Sequence, residues 1–323
     1  MKRNHLVTVL GAMLSMCMLA GVAGAKSKAS DNLSTARSYG ADLLRTAIAM
    51  QRHTEWVSSA KDVDIKRKLE RKGYRLVGDV IHGKGGSGLQ AYVAVGGDNV
   101  VVAFRGTKSD KLGEFLKNVK TDLKFLRMVK LKFSKKHGKV KVHKGFYDDY
   151  VAVRKQIIKR VKKHKGKRIY VTGFSLGGAL ASLCALDLKE NVGGKVFAYF
   201  LGNPRAGGED FRQALLKTVG QTLRIALNRD IVPKVPGIST QISESRYQHN
   251  SQQLLQLYPN GVRVPDGKLD PRIRTGSFDF HDRDKYRDAL KAHYETCKKD
   301  KKTCSGNALK SAAKAERAKA LKK

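Results

Sequence analysis

The segment at 169–182, Ile-Tyr-Val-Thr-Gly-Phe-Ser-Leu-Gly-Gly-Ala-Leu-Ala-Ser, constrains this chain more than any other. It reads as a β-branched strand that passes through Gly173-Phe-Ser-Leu-Gly177 straight into a helix of small residues. This is the pattern G-x-S-x-G in a strand–turn–helix setting, which carries a serine on a sharp, strained turn and exposes its Oγ. The flanking glycines remove side chains that would collide there. A helix starting at Leu176 aims its first N–H groups and the positive end of its dipole at any negative charge developing beside the serine.

Around this turn the chain alternates between two periodicities. Helical spacing of apolar residues predicts helices over 36–53, 65–72, 146–165 and 288–298, with a shorter one inside 207–219. Strands are expected at 74–81, 89–95, 100–104, 167–174, 195–201 and 222–227. Gly96-Gly-Asp-Asn99 is the turn of one hairpin, 82–88 is a glycine-rich hairpin turn, and 128–133 with 139–143 reads as a hairpin with a cationic face. Strand–helix alternation of this kind implies an α/β fold with a mostly parallel central sheet and helices on both faces. The chain's 323 residues suffice for one large core.

Residues 1–25 stand apart. Lys2 and Arg3 precede an apolar stretch over 6–20 that is short for a membrane span, and Ala23-Gly24-Ala25 supplies an A-x-A cleavage signal. The segment is expected to be a secretory signal peptide, giving a secreted or periplasmic mature chain. Its removal leaves Cys184, Cys297 and Cys304. Cys184 falls among leucines and reads as a small buried hydrophobe. Cys297 and Cys304 flank a lysine-rich turn, and export would permit them to pair. Nothing in the cysteine and histidine spacing suggests a metal site, and no metal or cofactor is expected.

The charge is extreme: 65 Lys and Arg against 28 Asp and Glu, a formal net charge of +37. Such a field attracts polyanionic partners. It thickens at 155–168 and again in the tail beyond 298. No nucleic-acid-binding motif accompanies it.

Several further motifs occur in a fixed order: Val101-Val-Ala-Phe-Arg-Gly-Thr107, Val142-His-Lys-Gly-Phe146, the serine turn, Leu201-Gly-Asn-Pro-Arg-Ala-Gly207, Asn228-Arg-Asp-Ile-Val-Pro233 and Tyr247-x-His249. With these the chain resembles the class 3 lipase family of α/β-hydrolases, over about 89–290, as a bacterial-type exported member. The resemblance implies the α/β-hydrolase fold and hydrolysis of lipid acyl esters, lipase or phospholipase A type, through a Ser-His-Asp triad and an acyl-enzyme. It implies a lipid substrate and no cofactor.

Serine catalysis needs a base to take the Oγ proton and a carboxylate to orient that base. In this fold class the acid and the histidine follow the serine in the chain. Ser175 is the nucleophile. Asp230 is the expected acid, because it follows the strand at 222–227 at its carboxyl end, where catalytic loops sit; Asp187 and Asp210 read instead as solvated. His281 is the first choice of base, with His249 and His293 as alternatives. Leu176 N–H is one oxyanion donor by its position after the nucleophile, and by resemblance Thr107 supplies the second. Arg105 and His143 read as structural. The family's lid falls at 114–133, where Phe125 and further apolar residues mix with Arg127, Lys130 and Lys132, a composition suited to an anionic membrane or lipid interface.

The expected organisation is a signal peptide at 1–25, an N-terminal extension at 26–88, the hydrolase core at 89–296 and a basic tail at 297–323. Two other activities fit the sequence: hydrolysis of a non-lipid ester such as an acetyl or feruloyl ester, and polyanion binding by an inactive hydrolase scaffold.

Overall fold

The β-branched runs expected to be strands pair into a single large sheet in the computed structural model of the protein, which describes residues 41–83, 88–106, 127–236, 247–249, 251, 253–261 and 277–299. The strands are β1 (Arg75–Leu76), β2 (Ile81–His82), β3 (Gln90–Gly96), β4 (Asn99–Phe104), β5 (Met128–Lys130), β6 (Lys141–His143), β7 (Arg168–Phe174), β8 (Val196–Leu201), β9 (Gln221–Leu227) and β10 (Gln253–Leu257). The helices are α1 (Ala41–Trp56), α2 (Asp62–Glu70), α3 (Lys144–Lys162), α4 (Leu176–Asn191), α5 (Glu209–Thr218) and α6 (Arg283–Lys299).

The main sheet has the order β1-β3-β4-β7-β8-β9-β10, with β2 also paired to β3. β3 and β4 form the expected antiparallel hairpin, and β4, β7, β8, β9 and β10 run parallel. β5 and β6 make a separate antiparallel pair. Alternate side chains along β4 and β7 feed opposite faces, as the period of two requires. Val100, Val102, Phe104, Ile169 and Val171 join a core with α3, α4 and α5, while Val101 and Phe174 join one with α1 and α6. A third cluster seats α2 against β3.

α4 is buried from Gly177 to Leu188. Apolar on every side, it lies between the sheet and its neighbouring helices, which fits a helix with almost no amphipathic contrast. This corrects the expectation that Asp187 is solvated. Asp187 is 0 % exposed and accepts hydrogen bonds from Tyr150 Oη (2.6 Å), Arg154 Nε (2.5 Å) and Nη2 (2.9 Å), and Asn191 Nδ2 (2.6 Å). Arg154, on α3, supplies the opposite charge that makes a carboxylate tolerable at that depth.

Two further expectations change. The strand expected at 74–81 is split into β1 and β2 by a bend in which Gly78 has φ +69°. β10, a fully paired parallel strand, was not expected, because Gln-Leu-Leu-Gln-Leu contains no β-branched residue and reads at least as well as helix. Residues 1–25, residues 111–125 and the tail beyond 299, including Cys304, lie outside the described residues.

Candidate active site

The serine turn has the backbone that its sequence predicts. Ser175 has φ 57° and ψ −129°, the only positive φ among the described non-glycine residues. Such a conformation costs a non-glycine residue on the order of 1–3 kcal/mol and persists only where the surroundings enforce it. Here the enforcement is backbone packing. A Cβ on Gly173 would lie 2.1 Å from Gly177 O, and one on Gly177 would lie 2.5 Å from Phe104 O. One on Gly178 would lie 2.7 Å from Asn203 Cβ. Ser175 N–H donates to Leu201 O (2.9 Å), tying the turn to the end of β8.

Asp230 stands where β9 ends, one strand beyond. It is 1 % exposed, and its Oδ1 accepts the Val232 N–H (2.9 Å). Its Oδ2 lies 2.7 Å from His281 Nδ1 and accepts the Tyr286 hydroxyl at 2.7 Å. Tyr286 in turn accepts the Leu227 N–H at 3.1 Å. Burial, and then the charge of Asp230, push the Tyr286 pKa well up, so this hydroxyl stays protonated and donates to the carboxylate. Gly202, at φ +56°, leaves the space for this cluster: a Cβ there would lie 3.0–3.2 Å from Tyr286 Oη, Asp230 Oδ2 and His281 Cε1.

The loop carrying His281 is bound to the Asp230 loop by the Ser277 N–H to Arg229 O hydrogen bond (3.0 Å). The imidazole stacks on Phe174, the residue before the serine, with ring centroids 4.6 Å apart. Its side chain is 2 % exposed. Asp230 holds Nδ1, which leaves Nε2 as the free edge of the ring. Nε2 and Ser175 Oγ are both buried and both lack a hydrogen-bond partner among the described residues. Each of these two buried atoms thus keeps hydrogen-bonding capacity that the described residues do not use.

Of the three candidate histidines, the structure therefore sets His281 on Asp230. His249 is half-buried beside Arg224, its Nε2 3.3 Å from Arg224 Nη1. Burial first, then repulsion from Arg224 and Arg205, lower its pKa well below the usual imidazole value and keep it neutral. His293 lies inside the α6 packing next to Cys297. Arg105 anchors the loop, donating from Nη1 to Gln90 Oε1 (2.5 Å) and from Nη2 to Gly88 O. His143 is buried against Phe146 and Tyr247.

Leu176 opens α4, so its N–H has no acceptor within the helix. Gly106 brings the end of β4 against the turn, since a Cβ there would lie 2.8 Å from Phe174 O and 3.2 Å from Ser175 Cβ. Thr107, the next residue, and Phe125 lie outside the described residues. Arg127, Lys130 and Lys132 are exposed. Two apolar residues expected beside them are committed elsewhere: Leu131 is 0 % exposed, and Phe133 stacks on Tyr147 at 6.0 Å and takes Arg154 over its ring. They belong to the core, so they are not free to insert into an interface.

Two features were not foreseen. Ser175 is 1 % exposed, contrary to the expectation of an open Oγ. Tyr286 is the other: its spacing of five from His281 is the signal that places both on one carboxylate, because five residues carry the chain from the loop into the first turn of α6.

The class 3 lipase family profile matches residues 101–240. A lipase of Rhizomucor miehei is 36% identical over 145 residues, which are 42% of this chain and 37% of that protein. A chloroplastic phospholipase A(1), DAD1, of Arabidopsis thaliana is 28% identical over 183 residues, 52% of this chain and 40% of that protein. The matched regions thus span less than half the length of these curated relatives. Among solved structures, the Rhizomucor miehei lipase propeptide complex superposes with a TM-score of 0.57 at 23% identity, covering 76% of this chain and 78% of that one. A triacylglycerol lipase described as having a serine protease triad as its catalytic centre gives 0.58 at 22% identity, with 76% and 94% covered. These matches are fungal and plant proteins where an organism is named, so the bacterial-type expectation is not borne out. They carry two conclusions that the motif order suggested: the fold is that of the α/β-hydrolases, and residues 101–240 match the class 3 lipase family.

Proposed function

We propose that this protein is an exported serine carboxylester hydrolase acting on lipid acyl esters. The observation that carries the reading is the pair of unsatisfied buried atoms, Ser175 Oγ and His281 Nε2, with Asp230 holding the far side of the imidazole. In this reading Ser175 Oγ attacks the ester carbonyl while His281 Nε2 takes its proton. Asp230 keeps Nδ1 protonated and stabilises the imidazolium, and Tyr286 fixes the carboxylate oxygen that does so. The tetrahedral oxyanion is met by the Leu176 N–H and by Thr107. His281 returns the proton to the departing alcohol, leaving an acyl-serine. Water, deprotonated by the same nitrogen, then releases the fatty acid and restores Ser175. The named activities of the relatives, lipase and phospholipase A(1), support lipid as the substrate.

Because Ser175 is 1 % exposed, an ester reaches it only after the residues above it shift. The part of the 114–133 segment that precedes β5 is our choice for that cover, with Arg127, Lys130 and Lys132 beside it as the contribution to an anionic interface. Export through 1–25 and a Cys297–Cys304 bond complete the reading.

The test is release of free fatty acid by the purified chain from neutral triacylglycerol, from glycerophospholipid and from a soluble short-chain ester. Hydrolysis of at least one lipid, lost in Ser175→Ala, is expected. Cleavage of acetyl or feruloyl esters alone would replace lipid with another acyl group, and no hydrolysis of any ester would remove the reading.

A further inference from the structure

The candidate active site lies at the carboxyl edge of the parallel strands. The densest charge lies at the other edge. α3 runs from β6 back along the sheet and ends in Lys159, Arg160 and Lys162, and the turn at 163–167 leads into Arg168 at the start of β7. β7 is seven residues long, which separates Arg168 from the serine turn by about 20 Å. Lys195 precedes β8 on the same edge, its carbonyl accepting the Ile169 N–H at 2.9 Å.

Lys159, Lys162, Lys163, Lys165 and Arg168 are exposed, and none forms an ion pair with a described carboxylate. Lys167 donates to Gly97 O (2.6 Å) and Arg168 to Asn99 Oδ1 (3.1 Å), both neutral partners. The nearby acids are Asp79, whose backbone carbonyl receives Arg160, and Asp98, whose carbonyl receives the Arg168 N–H. The His164 pKa is depressed by partial burial and then by Arg75, Lys167 and Lys163, so cations from β1 and from the turn at 163–167 converge on one ring. A helix C-terminus explains two or three basic residues by its dipole. It does not explain cations drawn from β1, from the turn before β7 and from the residue before β8.

We propose that this edge is a docking surface for a linear acidic polysaccharide. The patch contains none of the exposed large apolar residues, which are Val63, Val151 and Phe278 among the described residues, so it has nothing to insert into a bilayer. It also offers no exposed aromatic ring for stacking bases. Its cations are mostly lysines, compact point charges without the fork that matches phosphate bidentately. Lys167 and Lys195 precede the neighbouring strands β7 and β8, about 5 Å apart, a separation that suits successive charges on a chain with a carboxylate or sulfate on each sugar. Resting on the active-site reading above, the geometry gives the surface a purpose: a chain held at the amino edge leaves the carboxyl edge facing a lipid. A bilayer bound there would hold Ser175 away from itself.

The test measures binding of the full chain to polygalacturonate, to short duplex DNA and to phosphatidylglycerol vesicles. It compares the wild type with Lys159→Gln/Lys162→Gln/Lys163→Gln/Lys165→Gln. A charge-matched control carries Arg52→Gln/Lys66→Gln/Lys291→Gln/Lys299→Gln, all exposed positions elsewhere. Polygalacturonate binding should weaken about tenfold or more in the first variant and far less in the control, with turnover of a soluble ester unchanged in both. Equal losses in the two variants would reduce the surface to diffuse charge, and no loss in the first would remove it. Tighter wild-type binding to DNA or to vesicles, abolished by the first set alone, would replace the polysaccharide with that partner. Binding is read without hydrolysis, so an inactive protein that still binds overturns the enzymatic reading and not this one.

Discussion

The two edges of the parallel sheet are built from the same strands and helices, yet they are made differently. At the carboxyl edge the backbone is crowded and strained: Ser175 has φ 57°, Gly173 and Gly177 admit no Cβ, and the polar atoms are buried. At the amino edge Gly97, Gly166 and Gly193 have room, although Gly96, packed on Gly73 and Tyr74, does not. Gly166, with φ +89°, has nothing within 4 Å of a Cβ position, and the cations around it face water. One edge stores conformational strain and unpaired hydrogen-bonding capacity, which is what chemistry on a bound molecule needs. The other stores charge, which acts over a Debye length and needs no fitted geometry. Substitutions should therefore separate activity, folding and charge-dependent binding by edge.

The largest effect is expected on turnover. Ser175→Ala and His281→Ala should each lower kcat by about a thousandfold or more, and the double variant should be little worse than either, since the pair acts as one unit. His249→Ala, removing a neutral, half-buried ring that pairs with Arg224 rather than with Asp230, should keep most activity. If His249→Ala is as damaging as His281→Ala, the assignment of the base fails.

Next come the glycines, where the edges compare directly. Gly173→Ala places a methyl 2.1 Å from Gly177 O and should cost roughly 3 kcal/mol or more. Gly166→Ala meets no neighbour and should cost only the left-handed backbone, about 1–2 kcal/mol. Denaturant midpoints measure both, and equal losses would mean that the serine turn is less tightly enforced than its contacts imply.

Buried carboxylates give a second comparison. Asp230 serves the site, whereas Asp187, well along α4 from the serine, serves the α3–α4 packing through Tyr150 and Arg154. Asp187→Ala should cost about 3 kcal/mol by leaving Arg154 half-buried and unpaired, while the folded fraction keeps its turnover. A variant of unchanged stability would show that solvent satisfies Arg154 unaided.

The smallest effect is on acid stability. Burial pushes the His53 pKa down to about 3, so the unfolded chain binds a proton that the folded one refuses. Stability from this group is whole above the ordinary imidazole value and falls as pH drops below it, by about 1.4 kcal/mol per unit. Asp149, raised to about 6 by burial and then by Asp148, works the opposite way below that pH. His53→Gln isolates the histidine: its melting temperature should change less than that of the wild type between about pH 7 and pH 5. Parallel curves would contradict the assignment.

Much of the carboxyl edge was legible because its constraints are local. The glycines at 173, 177 and 178 and the β-branched strand before them declare a backbone that few other residues tolerate. Asp230 was readable from its place after a strand. What could not be read depends on contacts across the chain. The burial of Asp187 is decided by Arg154, thirty-three residues earlier, and that of Leu131 by the core beneath the β5–β6 pair. β10 carries leucine and glutamine, whose strand state is set by pairing with β9 alone. Tyr286 and Asp230 meet only because the 277–281 loop is pinned to residues 229–230.

The central claim is that Ser175 is a nucleophile activated by His281. Treatment of the full chain with an alkyl fluorophosphonate tests it most directly, because phosphonylation needs the same attack by Oγ and the same proton removal. The account predicts one adduct, located by peptide mass on Ser175, with ester hydrolysis lost in proportion to labelling and neither seen in His281→Ala. Full labelling of Ser175 with hydrolysis intact, or hydrolysis blocked by an adduct on another residue, would contradict it.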